Sequence, residues 1–528
     1  MAKKTLRAMA VLALLAFLNG NAFAANNATS TTTGTGNTSN ISQSGDGQNA
    51  TVDQNGDDNF QETNQDGLNN TADTNTTGNN NLSTVDQDGE LLSSTVVQNG
   101  DENTQHTDQT GVDNVSSVDQ NGNRNWSYTT QGGDGHTSTV IQEGDDHVQD
   151  THQRMSNNEA ITEQYGNGNG SWINQGGNPS GGQLSAPGSG GGNFAHTTQF
   201  NGNNHSDVYQ WGNDNTANTV QDDSNSSLIS QLGDSNNADV DQSGNTFPNN
   251  TSNESEIAQS GNNNDALVSQ DDSNISRIGQ AGNDNLATVD QTGFSGTDSN
   301  ESDIAQDGDL NTASVTQNGN LNYSVIGQPG SFNDATVSQS GTSNDSSVFQ
   351  FGDENVATVD QSGTDNTSAV SQDSGNTADV DQSGTDNDST VNQSGPAGSF
   401  GNFAEVDQSG ANNVATVNQD GGVTPNGISN DNSASIDQSG DWNVATVSQD
   451  DFNEATVLQT GLGTLSDPNV VNITQFDDND IAYAEQNGGE GNLITIEQDQ
   501  CCSGNAAVNS ATAIQTGAFN TTTIIQTP

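Results

Sequence analysis

Aspartate is nearly the only side chain in this 528-residue sequence able to carry acid, base or cation chemistry, since Asp and Glu total 69 against 6 Lys and Arg. Regularly placed Asp and Asn invite a calcium reading, because calcium is ligated by oxygen. The D-x-D-x-D-G loop and the G-G-x-G-x-D nonapeptide are both missing, so the expectation is no cofactor beyond diffuse, low-affinity Ca²⁺ on an acidic face. The six histidines, His106, His136, His147, His152, His196 and His205, lack ligand spacing and read as scattered surface residues. Cys501 and Cys502 are adjacent, which gives neither a disulfide framework nor a zinc spacing; they read as incidental or as a link between chains. There is no nucleophile elbow and no phosphate loop. A hydrolase built on paired carboxylates needs a pair that stands out, whereas here every repeat carries acids. No catalytic or metal-binding residue is assigned, and the chain reads as a non-enzyme. Its net charge of −63 argues against nucleic acid and anionic membranes as partners.

Three of the six cations, Lys3, Lys4 and Arg7, precede an apolar run from Ala8 to Leu18, and Ala22 and Ala24 form an A-x-A cleavage site. Residues 1–24 therefore read as a secretory signal peptide, too short to span a bilayer, and the mature chain is expected to hold no membrane span. Residues 25–40 read as a flexible N-terminal segment.

The remainder keeps a beat. Gln43, Gln54 and Gln65 are followed by Thr76 in the glutamine's place, then by Gln87, Gln98 and Gln109, each eleven residues from the last. Within a unit such as "NVATVDQSGTDN", Asn355 to Asn366, the alternation has period two, which is the mark of a strand with two unlike faces. Asn355, Ala357, Val359 and Gln361 are assigned inward, and Val356, Thr358, Asp360 and Ser362 outward. Eleven residues make one strand and one turn, so about 22 make a coil. The expected fold is all-β: a β-solenoid of about twenty two-strand coils, amyloid-like and cross-β, with two sheets facing across a thin core. Inward amides are affordable in such a core because identical amides stacked about 4.8 Å apart satisfy one another.

Most turns read Q-x-G-x-x-N, with glycine free to take positive φ; the turn glycines include Gly341, Gly363, Gly384 and Gly410. Shorter turns such as "QDDSN" at Gln221 and Gln270 bring the next beat after ten residues. Pro- and Gly-containing excursions interrupt the beat without ending it. The longest of them divides the reading into repeat block 1 (41–175), a Gly/Pro/Ser-rich loop or linker (176–198) and repeat block 2 (199–528). Outward acids in successive coils, Asp290, Asp360, Asp381 and Asp407, are expected to form an acidic ladder. Trp126, Trp211 and Trp442 fall at outward or turn positions, open to lateral contacts.

The order N-x-A-x-V-x-Q-x-G-x-x-N resembles the curlin repeat, found in the subunits of curli, the functional amyloid fibres of bacterial biofilms. The resemblance extends over nearly all of the chain from Ile41. It implies an amide ladder that includes Gln339, Gln361, Gln382, Gln408 and Gln449 with Asn355, Asn366, Asn413 and Asn443. It further implies self-assembly into a homopolymer fibre, a nucleator subunit and an outer-membrane export pore as partners, and a place for residues 25–40 as the export-targeting segment. The expected function is thus a secreted structural protein forming curli-like fibres at the cell surface or in the biofilm matrix. The alternative is a monomeric acidic β-solenoid acting as an adhesin or as an ice- or cation-binding surface protein; an ice-binding face calls for a flat Thr-x-Thr array, which Asp360 after Thr358 spoils.

Overall fold

A computed structural model describes residues 25–176, 191–244, 252–293, 299–395, 401–420, 432–450, 452–476, 479–499 and 509–527. Every helix or strand among them is a strand. The chain divides into two compact units, one ending at Asn263 and the other beginning at Asn264.

Among the described residues the first unit holds twenty strands, from Asn27–Thr33 to Glu254–Asn262, which make ten two-strand coils. Successive strands alternate between two parallel sheets. The strand Asn49–Asn55 pairs with Thr71–Thr77, and Phe60–Leu68, which lies between them in sequence, pairs with Leu82–Glu90 in the other sheet. The second unit repeats the arrangement with twenty-two strands among its described residues, Asp265–Asp271 to Thr521–Gln526, in eleven coils. Both units are parallel β-solenoids.

Strand Val356–Thr364 shows why these residues fold this way. Val356, Thr358 and Asp360 are exposed, and Ala357, Val359 and Gln361 are buried. β-Branched residues suit the pleat, and the small inward side chains let the two sheets approach. Ala335, Ala357 and Ala378 lie in one row and Val337, Val359 and Val380 in the next, so each apolar side chain meets its own kind above and below. A buried valine contributes about 1.5–3 kcal/mol, and with so few apolar atoms per coil the polar rows must be satisfied as well.

The register absorbs variation in the turns. Gln339 and Gln361 pair across 22 residues, whereas Gln361 and Gln382 pair across 21 because the turn after Gln372 is one residue shorter. Excursions leave the rows intact: Gln382 meets Gln408 across 26 residues, and Gln164 meets Gln199 across 35. The excursion after Gln175 therefore does not end a block. The strand Phe194–Phe200 already begins within 176–198, and the two units divide instead at Asn263 and Asn264. Residues 25–40 also differ from the flexible segment expected. They hold the strand Asn27–Thr33 and the start of Thr38–Asp46, fixed by pairing with Asn49–Asn55 and Phe60–Leu68. Residues 1–24, read as a signal peptide, and the vicinal cysteines lie outside the described residues.

The turn glycines sit where only glycine fits. Gly363 has φ 117°, and a Cβ on it would fall 2.0 Å from the carbonyl oxygen of Gly384 in the next coil. Gly341, Gly384 and Gly410 repeat this with φ of 110°, 111° and 107°. The residue before most turn asparagines is left-handed too, as at Asp365 with φ 55°. Replacing Gly363 with alanine is expected to cost about 1–3 kcal/mol, whereas Ser362→Ala should stay within about 0.5 kcal/mol. Urea midpoints of the two variants measure the difference.

Candidate functional site: the amide ladders

The buried glutamine amide performs two tasks at once. The Gln361 Nε2 donates one hydrogen to Gln382 Oε1 at 2.8 Å, along the stack, and the other to the carbonyl of Asp345 at 2.9 Å, in the opposite sheet. Both donors of the amide are used, and the two sheets are tied at every coil. Gln339, Gln382 and Gln408 belong to this ladder, which runs unbroken from Gln270 to Gln515. Gln449 lies in the partner ladder of the other sheet, where it donates to Gln475 at 3.0 Å.

Asparagines form a second set at the turns. Asn366 Nδ2 donates to Asn344 Oδ1 at 3.1 Å and to the carbonyl of Ser362 at 3.1 Å, so it closes its own turn as well. Asn413 binds Asn387, and Asn443 binds Asn413, each at 3.1 Å. Asn355 sits at the opposite turn and binds Asn333 at 3.0 Å.

Two histidines occupy asparagine places, which corrects their reading as surface residues. His136 and His147 are fully buried. The backbone N–H of His136 donates to Asn114 Oδ1 at 2.9 Å, and its Nδ1 accepts the backbone N–H of Asn158 at 3.3 Å. His147 does the same between Asn125 and Asn169. The ring nitrogen replaces an amide oxygen and must stay unprotonated. Burial holds both pKa values below the ordinary 6.5, against the opposing pull of Asp134 on His136 and of the Gly166 and Glu143 carbonyls, Asp145 and Asp146 on His147. The motif Q-x-G-x-x-H, from Gln131 and from Gln142, carries the signal. The other four histidines are outward.

A further amide row escaped the beat. Gln61, Gln105 and Gln149 are buried at intervals of 44 residues and alternate with serine in register. Ser83 Oγ donates to Gln105 Oε1 at 2.9 Å and Ser127 Oγ to Gln149 Oε1 at 2.7 Å.

The acids fall into two kinds. In the second unit Asp360, Asp381 and Asp407 stand in register with Asp437, with Asp379 and Glu405 beside them on the same face. Burial, then Asp407, Asp360 and Asp379, push the Asp381 carboxyl up, and burial followed by Asp437 and Glu405 does the same at Asp407. Asp290 shares the row but not the ladder, because Thr316 and Ser338 separate it from Asp360. In the first unit the turn acids alternate with asparagine. Asp57 accepts from Thr35, Asn79 accepts from Asp57, and Asp101 accepts from Asn79, with N···O distances of 2.8, 3.0 and 2.7 Å. Each carboxylate there has neutral neighbours above and below. Among the described residues no group of three or more His, Cys, Asp or Glu side chains is placed to hold a metal ion, and no helix is long and apolar enough to cross a membrane.

A parallel β-solenoid organised by stacked amides defines a structural repeat protein. The curlin associated repeat matches this chain at residues 111–144, 297–330, 308–341, 341–373 and 430–450, so the chain carries curlin repeats in both units. None of the curated proteins matches it.

Replacing Gln361 with leucine removes three bonds, the two it donates and the one it accepts from Gln339, and strands the Gln339 and Gln382 amides, at about 1–3 kcal/mol for each unsatisfied group. Thr358→Ala, on the exposed face, is expected to be near neutral, and equal losses in denaturant titrations of the two variants would refute the assignment of faces. The histidines give a pH signature. Their folded pKa is depressed, so their contribution is complete above pH 6.5 and declines as pH falls below it. Hydrogen-exchange protection factors around Asn114, Asn125, Asn158 and Asn169, which correct for the intrinsic pH dependence of exchange, should fall on acidification, and a His136→Asn, His147→Asn double variant should suppress that change.

Proposed function

We propose that this protein is a secreted fibre subunit of the curli type, which assembles at the cell surface or in the biofilm matrix by adding coil on coil. One observation carries the reading: within each unit every coil meets its neighbours through the same glutamine contact, as Gln361 does with Gln339 and Gln382. A coil of a second copy offers the same groups at the same spacing, so the ladder can pass from chain to chain. A nucleating subunit and an export pore, as in curli, would supply the first template and the route out. Diffuse calcium on the acid face fits the same scheme.

The acids set the conditions. Two charges about 4.8 Å apart repel by about 0.9 kcal/mol in water, and Asp360, Asp381, Asp407 and Asp437 repeat that contact. This repulsion keeps unassembled chains apart. The raised pKa values of Asp381 and Asp407 mean that their penalty disappears as pH falls toward the ordinary 3.8. Salt at about 1 M shortens screening to about 3 Å, and divalent cations bridge carboxylates. Light scattering of the purified chain should therefore show faster assembly below about pH 5, in high salt and in millimolar Ca²⁺, with fibre diffraction near 4.8 Å. A chain that stays monomeric under all these conditions when seeded would instead be the adhesin.

A further inference from the structure

The aromatic side chains are unevenly distributed. Three of the four tryptophans, Trp126, Trp172 and Trp211, lie with Tyr128 and Tyr209 on the outward face of one sheet, in the strands Trp126–Asp134, Gly170–Gln175 and His205–Trp211 of the first unit. All five are part-exposed. Register puts one row of this face in an alternating order: Tyr128 pairs with Asp150, Asp150 with Trp172, and Trp172 with Asp207. A ring and a carboxylate thus alternate along the stacking axis, with ring-to-ring steps of about 9.6 Å, twice the strand spacing.

The backbone makes room for the central ring. A Cβ at Gly170 would lie 2.6 Å from Cζ3 of Trp172, so the indole lies over that glycine, with His205 tilted beside it at 4.8 Å. Tyr128 lies near-parallel to His106 at 4.9 Å and to Trp126 at 6.0 Å and meets His152 edge-on at 5.6 Å. In the neighbouring outward row Thr130 Oγ1, His152 Nδ1 and Asn174 Oδ1, and beyond that row Trp211 Nε1 at the end of its strand, lie under neighbouring side chains without a hydrogen-bond partner. Surface side chains turn over on the picosecond to nanosecond scale, so these groups are within reach of a ligand laid on the face.

We propose that this face binds an extended, neutral, β-linked polysaccharide running along the stacking axis, with sugar rings on Trp172 and Tyr128 and hydroxyls on Asp150 and Asp207. The unpartnered groups include an obligate donor, the indole N–H, and an obligate acceptor, the Asn174 carbonyl. Hydroxyls supply both functions together. A polyanion is repelled by the two aspartates, whose only cationic partners among the described residues are the titratable rings of His152 and His205, at 3.1 and 3.4 Å. A bare cation suits the rings and acids but leaves the indole N–H unsatisfied. A second copy laid face to face buries acids against acids at a cost. The step of about two strand spacings also matches the disaccharide repeat of a β-1,4-linked chain.

The test is depletion of the full-length protein from solution by regenerated cellulose, with tryptophan fluorescence titrations using soluble cello-oligosaccharides and with alginate and polylysine as competitors. The wild-type chain is expected to bind cellulose and to ignore alginate. Tyr128→Ala with Trp172→Ala should weaken binding at least about tenfold, consistent with about 1.4 kcal/mol or more. Trp172→Phe should retain most of it, and Trp442→Ala, in the second unit, all of it. Circular dichroism checks that the strands persist in each variant. The proposal is overturned if cellulose takes up the double variant as well as the wild type, if Trp172→Phe loses as much as the double variant, or if polylysine displaces cellulose through the same residues. Aromatic-dependent bundling of the protein without glycan binding would likewise overturn it, in favour of a contact between copies.

Discussion

Everything in this fold depends on a buried primary amide being satisfied by its own copy one coil away. A lone glutamine in a thin core would cost several kcal/mol in unpaired donors and acceptors. In a stack of parallel strands the identical residue always lies about 4.8 Å above, and the cost becomes a bond. That solution demands repetition: a glutamine is useful at Gln361 only because Gln339 and Gln382 occupy the same row. The eleven-residue beat follows from this demand, as do the small apolar residues that let the sheets close around it and the glycine that lets one turn nest against the next.

Because the interaction is between like residues, it was open to reading from sequence. The beat, the alternation of faces and the turn glycine all follow from a local pattern that the chain states many times. What escaped was whatever depends on a neighbour 22 residues away. His136 sits in an asparagine row, but an imidazole looks like a surface residue until its row partners Asn114 and Asn158 are known. Gln61 and Gln105 alternate with serine, so their period spans two coils and is invisible within one. The segment from Asn27 to Thr33 has the small polar residues of a flexible tail, and its strand is imposed by pairing with Asn49–Asn55.

The aspartates show the same constraint from the opposite side. Like residues stacked in register help when they are amides and hurt when they are carboxylates. The first unit resolves this at its turns by alternating acid and amide. There Asp101 accepts from the backbone and side chain of Asn79, at 2.7 and 3.0 Å, while Asn123 separates it from Asp145. The second unit leaves Asp360, Asp381, Asp407 and Asp437 in direct succession on an open face. One arrangement uses charge as a hydrogen-bond acceptor. The other stores repulsion that protons or cations can remove, so the same residue type serves cohesion at the turns and solubility on the open face.

The ladders also have direction. Within each unit the glutamine of the lower-numbered coil donates to the next, as Gln339 does to Gln361, whereas the asparagine of the higher-numbered coil donates back, as Asn344 does to Asn322. A coil therefore shows glutamine N–H and asparagine oxygen on one side, and glutamine oxygen and asparagine N–H on the other. Two coils match only when both run the same way. Reversing one sets donor against donor at one kind of ladder and acceptor against acceptor at the other, and each buried mismatch costs about 1–3 kcal/mol. A contact that joins unlike sides by a near-pure translation does not close on itself. Any association that reuses this contact is accordingly polar and open-ended, because the direction of the amides rules out the symmetric dimer that most soluble chains form.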